Sequence, residues 1–276
     1  MKLSVFTDEI SPSPARAVEL AAAWGISHIE VRGLDGGRFP RVGDAELQDF
    51  QRRFEDAGLA VSGVSPGLFK CRLNDPSIDR DMTEVLPRAC EWAQRWGTDR
   101  VSCFAFRRAG KTQMPDEVVD RLAGMCEAVS AAGCRLLLEN EAGCWGGTGL
   151  QAAAIIGRIG GDRLGLCWDP GNAARAGSAS PYPDEYEELR DPDGPTIGCV
   201  HMKNYVSAAG GWGLLEGPDI DWRALLKALQ GNGYDGFVVV ETHTDKLHDA
   251  FGPVDERLTP KESNTLRNIE FARMCL

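Results

Sequence analysis

The chain has 276 residues, 43% of them hydrophobic and 26% charged, and carries a net charge of −11 at neutral pH. That balance belongs to a globular protein with material for a sizeable core, and the excess of acid argues against DNA or another polyanion as a partner, which a basic face normally meets. No uninterrupted apolar stretch approaches the roughly 20 residues of a membrane helix, and the N-terminus enters a strand-like run without a basic, signal-like start, so the expectation is a cytoplasmic protein with no membrane partner.

From the N-terminus onward one pattern repeats: an amphipathic helix, a glycine, then a short apolar strand. After an opening strand near residues 3–7, the pattern appears at Trp24-Gly25-Ile-Ser-His-Ile-Glu30 and Ala57-Gly58-Leu-Ala-Val61. It returns at Trp96-Gly97-Thr-Asp-Arg-Val101 and Ala132-Gly133-Cys-Arg-Leu-Leu-Leu-Glu139. Later copies are Gly160-Gly161-Asp-Arg-Leu164 and Gly233-Tyr-Asp-Gly-Phe-Val-Val-Val-Glu241, with a further strand at Ile197-Gly-Cys-Val-His201 between them. Glycine just past a helix supplies the left-handed residue that ends it. The spacing, roughly 34 residues per unit, predicts a (β/α)8 TIM barrel filling residues 1–276 as a single domain.

Helix starts fall where this scheme needs them. Ser13-Pro14, Asp44 and Thr148 each precede an apolar helical face, and Thr259-Pro-Lys-Glu262 has the spacing of a capping box. A third helix over roughly residues 76–96 contains Pro87, which predicts a kink or break. Residues 173–196, with Pro181-Tyr-Pro183 and Asp191-Pro-Asp-Gly-Pro195, read as loop with one short helix around 185–190. The nine cysteines include no CxxC pair and mostly sit in apolar patterns, so they are expected as buried free thiols.

The functional signal lies at four strand ends. The run Leu164-Gly-Leu-Cys-Trp-Asp169-Pro-Gly-Asn172 is apolar until it stops at a carboxylate, after which Pro170-Gly171 is expected to turn the chain away. A buried parallel strand needs no acid for its own stability, and the C-terminal strand ends of a barrel carry its chemistry. Three neighbouring runs end alike, at Glu139-Asn-Glu141, at His201-Met-Lys203-Asn204 and at Glu241-Thr-His243. Acids from several strands with one imidazole suit a single divalent ion, Mn2+, Mg2+, Co2+ or Zn2+, with positions left open for substrate. Glu139 and Glu141 share a side of an extended segment, which leaves both open as the strand-5 ligand.

Leu138-Glu139-Asn140, Trp168-Asp-Pro-Gly-Asn172, Val200-His-Met-Lys-Asn204 and Gly236-Phe-Val-Val-Val-Glu241 resemble the xylose isomerase-like TIM-barrel superfamily, the sugar phosphate isomerase/epimerase group. Leu215-Glu216-Gly217, leading to Asp221-Trp222, is similar to that family's Gly-Glu-Gly…Asp-Trp segment. The resemblance spans the chain and is more specific in its second half. It implies one divalent metal held by Glu139, Asp169, His201 and Glu241, a small sugar or polyol as partner, and Glu139 and Glu241 as acid and base, their order left open. Removing a proton from a poorly acidic C–H beside a carbonyl is eased when a metal takes up the charge that develops on oxygen. Glu30 matches an acidic position of the family and is expected at the substrate, as are Asn172, Lys203, His243 and Glu216. Asn172 stands where many members carry a histidine, so the substrate contact there differs. Trp145, Trp168, Tyr205 and Trp212 lie near strand ends as walls of a sugar site or as packing. His28 and His248 are given no role.

The resemblance implies a metal-dependent isomerase or epimerase of a sugar or related polyol, with self-association left open. The alternative is a lyase, such as a dehydratase of a keto-sugar or keto-inositol, on the same metal site. An endonuclease of the same superfamily would need a basic face and more than the four histidines present. A sugar-binding barrel with a vestigial metal site is a further, non-enzymatic alternative.

Overall fold

A computed structural model describes residues 1–191, 194–246 and 254–276. Eight parallel strands close on themselves: β1 Lys2–Phe6, β2 His28–Val31, β3 Ala60–Leu68, β4 Arg100–Cys103, β5 Arg135–Glu139, β6 Leu164–Trp168, β7 Ile197–Met202 and β8 Phe237–Val240. Each pairs with its sequence neighbours, and β1 pairs with β8 through Lys2–Phe237 to Val5–Val240, which leaves the barrel no edge. Helices between the strands cover the outside, so the architecture is the (β/α)8 barrel that the repeat spacing predicts.

The helix-ending glycines behave as the pattern requires: Gly25, Gly58, Gly97, Gly133 and Gly233 all have positive φ. Inside the barrel, Phe6, Leu137, Cys167, Cys199, Phe237 and Val239 form their own buried cluster, separate from the larger core between strands and helices. All nine cysteines are free, seven of them buried.

Local signals resolve with instructive differences. Thr259 caps helix Pro260–Cys275 through a reciprocal capping box with Glu262, and Thr148 accepts a hydrogen bond from Gln151 at the start of helix Gly149–Ile159. Asp44 is the first residue of its helix, Asp44–Asp56, and Gly43 takes the cap position. The irregularity expected at Pro87 appears one turn earlier, as a π-helical stretch Asp81–Val85 that leads into helix Leu86–Arg95 and places Pro87 in that helix's first turn. Residues 173–196 are more helical than expected, with Pro170–Arg175, Pro181–Glu185 and Tyr186–Leu189. Pro170-Gly171 opens a helix rather than a plain turn, because proline suits the first helical position and the Asp169 side chain caps it. No helix among the described residues is long and apolar enough to cross a membrane. Pro192, Asp193 and His248 lie outside the described residues.

Candidate metal centre and substrate cavity

Four strand ends bring Glu139, Asp169, His201 and Glu241 together, all buried, with ligand atoms within 4.8 Å of one another. Glu139 ends β5, Asp169 follows β6, His201 is the penultimate residue of β7 and Glu241 follows β8. Each rests on backbone that the neighbouring strand pins. Asn140 clamps both peptide groups of Asp169, accepting from its N–H at 2.7 Å and donating to its carbonyl at 2.8 Å. Asp169 Oδ1 in turn accepts from the Asn172 N–H at 2.8 Å as a helix cap, which leaves Oδ2 to face the cluster.

His201 is oriented from behind. Its Nε2 lies 3.3 Å from Glu30 Oε1 and 3.3 Å from Cys167 Sγ, and the Phe6 ring meets it edge-on at 5.0 Å. Its Nδ1 points the other way, 3.5 Å from Glu139 Oε1 and 3.8 Å from Glu241 Oε2, and has no hydrogen-bond partner among the described residues. A buried ring nitrogen without a partner is costly, and a carboxylate behind the opposite nitrogen is the usual support of a metal-binding imidazole.

The charges make the same demand. Lys203 Nζ bridges Asp169 Oδ2 at 2.7 Å and Glu241 Oε2 at 2.8 Å, and its approach depends on Gly171, where a Cβ would sit 2.7 Å from Lys203 Cγ. Burial opposes the ammonium, but Asp169 and Glu241 hold Lys203 above the ordinary lysine range. Arg32 and His243 also meet Glu241, at 2.5 and 2.9 Å, and are balanced by Asp8 and Glu9. Three carboxylates facing one ammonium therefore leave about two negative charges, which one divalent cation cancels. The imbalance registers on Asp169: burial, with Glu241 and Glu139 adding to it, outweighs Lys203 and pushes the carboxyl up to about 6. Glu139 and Glu241 are also pushed upward by burial. His201 and Lys203 more than offset this at Glu139, and Lys203, His243 and Arg32 do so at Glu241, so both stay below the usual carboxylate range. Donor set, orphaned nitrogen and residual charge fit a divalent ion held by Glu139, Asp169, His201 and Glu241.

The cluster opens on a cavity of about 270 Å³ lined by Glu139, Asn172, Lys203, Glu241 and His243, with Phe6, Phe104 and Trp212 as walls. Asn172 donates to the Asn140 carbonyl at 2.9 Å and reaches Glu139 Oε1 at 3.4 Å, so it braces the cluster as well as facing the cavity. Glu141, the rival on strand 5, is turned to Lys70 at 2.7 Å and lies outside the four-residue group. Two expected substrate contacts are placed elsewhere. Glu30 does not line the cavity; its carboxylate lies behind His201, 3.3 Å from Nε2. Glu216 is exposed on a separate surface beside Leu215 and Phe271. Of the aromatic residues, Trp212 walls the cavity, whereas Trp168 is fully buried, stacked on Tyr186 and donating to Glu185. Arg32, Arg38, Lys70 and Arg175 line the cavity without having been singled out from the sequence; their only signal is position just beyond strands β2, β3 and β6.

The sequence matches the family described as xylose isomerase-like TIM barrel over residues 18–275. No curated protein matches the chain. Among solved structures, the probable 3-DHS dehydratase AsbF of Bacillus anthracis is similar, with a TM-score of 0.73 at 18% identity and 98% of each chain covered. D-allulose 3-epimerase from Methylomonas sp., in complex with D-allulose, gives 0.73 at 16% identity, covering 100% of this chain and 97% of that one. A xylose isomerase-like TIM barrel protein from Mycobacterium smegmatis, in complex with magnesium, gives 0.67 at 18% identity over 95% and 87% of the two chains. At these identities the likeness concerns the fold.

Proposed function

The chain belongs to the xylose isomerase-like TIM-barrel family, and from that premise we propose that it is a divalent-metal-dependent isomerase or epimerase of a sugar or related polyol. The observation that carries the reading is the meeting of Glu139, Asp169, His201 and Glu241 in one buried cluster, two of whose members, Glu139 and Glu241, line a small cavity. When bound there, the metal supplies Lewis-acid polarisation of a carbonyl oxygen. The remaining work falls to the side chains.

Glu139 and Glu241 are the proton-transfer pair, and their surroundings divide the roles. Glu241 is gripped by Arg32, Lys203 and His243 at 2.5, 2.8 and 2.9 Å. Among the described residues Glu139 meets only Asn172 and His201, at 3.4 and 3.5 Å, and is held ionised, so it is the freer base and takes the proton from the carbon beside the carbonyl. Glu241 is ionised at rest, so the proton it returns on the other side comes from the His243 imidazolium 2.9 Å away, and the proton held by Glu139 goes to solvent when product leaves. Lys203, fixed by Asp169 and Glu241, presents its positive charge to the oxygen on which negative charge grows. Phe6, Phe104 and Trp212 wall the reacting carbon from bulk water.

Solvent-deuterium incorporation into a panel of ketoses by the metal-loaded protein tests the reading, with product mass read alongside. Exchange at the carbon next to the carbonyl, cut about 1,000-fold in Glu139→Gln, is the expected result. No exchange on any substrate, or full exchange in the variant, contradicts it. The likeness to a probable dehydratase favours, as a second reading, proton abstraction followed by loss of a hydroxyl. Its product would be one water lighter and would absorb as an enone.

A further inference from the structure

The cavity also holds a set of cations that the proton-transfer chemistry does not use. Arg38 comes from the short hairpin of Gly33–Leu34 with Gly37–Arg38, Lys70 from the loop after β3, and Arg175 from the helix after β6. In a chain of net charge −11 their convergence on one small cavity runs against the overall balance. Lys70 and Arg175 share a single acid, Glu141, at 2.7 and 4.0 Å. Arg38 has none. Its Nε donates to the Ser65 carbonyl at 3.1 Å and its Nη2 to Ser65 Oγ at 3.2 Å, and Nη1 makes no hydrogen bond among the described residues.

Arg38 is also seated, not draped over a surface. At Gly67, where φ is +75°, a Cβ would lie 2.6 Å from Arg38 Nε and 2.8 Å from Cζ, so the guanidinium rests against bare backbone that any side chain would displace. Burial and the like charge of Arg32 push Arg38 down to about 10, and Glu139 and Asp8 offset this only in part. A fixed guanidinium with a free donor edge is the standard partner of a carboxylate or phosphate, and leaving it unpaired in a cavity is costly without one.

We infer that the substrate carries an oxyanion group, a carboxylate or a phosphate, and that Arg38, supported by Lys70 and Arg175, binds that group while the carbonyl end faces Glu139 and Glu241. The inference rests on the enolising reading only in assigning the carbonyl end. The cavity is thereby polarised, with an acid-rich end for the metal and a cation-rich end that selects among carbonyl compounds by charge.

Three matched six-carbon ketoses separate the possibilities: neutral D-fructose, the carboxylate 5-keto-D-gluconate and D-fructose 6-phosphate. Their binding to the full-length, Mn2+-loaded protein is measured by calorimetry, for the unsubstituted chain, R38Q and R38K. At least one anion is expected to bind about 10-fold or more tightly than fructose, which anion wins identifying carboxylate or phosphate. R38Q is expected to erase the advantage and R38K to keep part of it, read as the ratio of anion to fructose affinity within each protein. Fructose binding as tightly as both anions, or an anion preference that survives R38Q, overturns the inference. An Arg38-dependent preference with no deuterium exchange on any of the three upholds the inference and removes the enolisation reading instead.

Discussion

The acidic cluster around His201 and the basic arc of Arg38, Lys70 and Arg175 face the same cavity but are built by different means. Glu139, His201 and their neighbours Asp169 and Glu241 sit on or one residue beyond barrel strands whose registers are fixed on both sides. The cations stand on a two-residue hairpin strand, a loop and a six-residue helix, held by contacts to Ser65, Glu141 and the Trp212 ring. A frame of that kind can hold a metal to the fraction of an ångström its ligands need, while loops can change the substrate without disturbing the frame.

The contrast predicts unequal costs of substitution. Glu9, buried under the acidic end, is paired with Arg32 at 2.5 Å, His243 at 3.0 Å and Lys261 at 3.2 Å. Glu9→Gln should cost about 2 kcal/mol in urea unfolding at neutral pH, because it removes the one buried carboxylate that the partly exposed Arg32, His243 and Lys261 share. Lys70→Met, in the half-exposed arc, should cost less than about 1 kcal/mol. Equal losses would erase the distinction between frame and loops. The larger loss should depend on pH. Burial pushes Glu9 upward, but His243 and Arg32 outweigh it and hold the folded-state value far below the ordinary 4.5. A depressed carboxylate stabilises the fold above its unfolded value and loses that contribution as pH falls, so the gap between the two proteins should narrow on acidification below about pH 5. A gap that widens there would contradict the assignment.

A smaller effect concerns the support behind His201. Glu30→Gln keeps the shape but removes the negative charge 3.3 Å from Nε2, and metal affinity measured by competition with a chelator should fall about 10- to 100-fold. Unchanged affinity would reduce Glu30 to a packing residue.

The same contrast explains what could be read in the sequence. Glu139, Asp169, His201 and Glu241 announce themselves because each ends a buried apolar run in which a polar side chain has no structural reason to be. The barrel was legible for a related reason, since the glycine-terminated repeat is a local signal present in every unit. Glu30 was visible as an odd acid, but its place behind His201 was not, because depth along the barrel axis is set by the stagger of neighbouring strands, which the sequence pattern does not carry. Arg38 and Lys70 were silent: loops have no periodicity against which a charge stands out, and an arginine's lack of an acidic partner exists only in three dimensions. Glu216, at the opposite extreme, sat in a family-like segment and proved exposed, away from the cavity.

The central claim is that the four strand ends form one divalent-metal site, and elemental analysis of the purified protein tests it most directly. The unsubstituted chain should carry about one divalent ion, as expected for a single site with three carboxylates and one imidazole. Asp169→Ala and His201→Ala should each lose it while keeping the barrel's circular dichroism. Equal metal content in all three proteins would contradict the account.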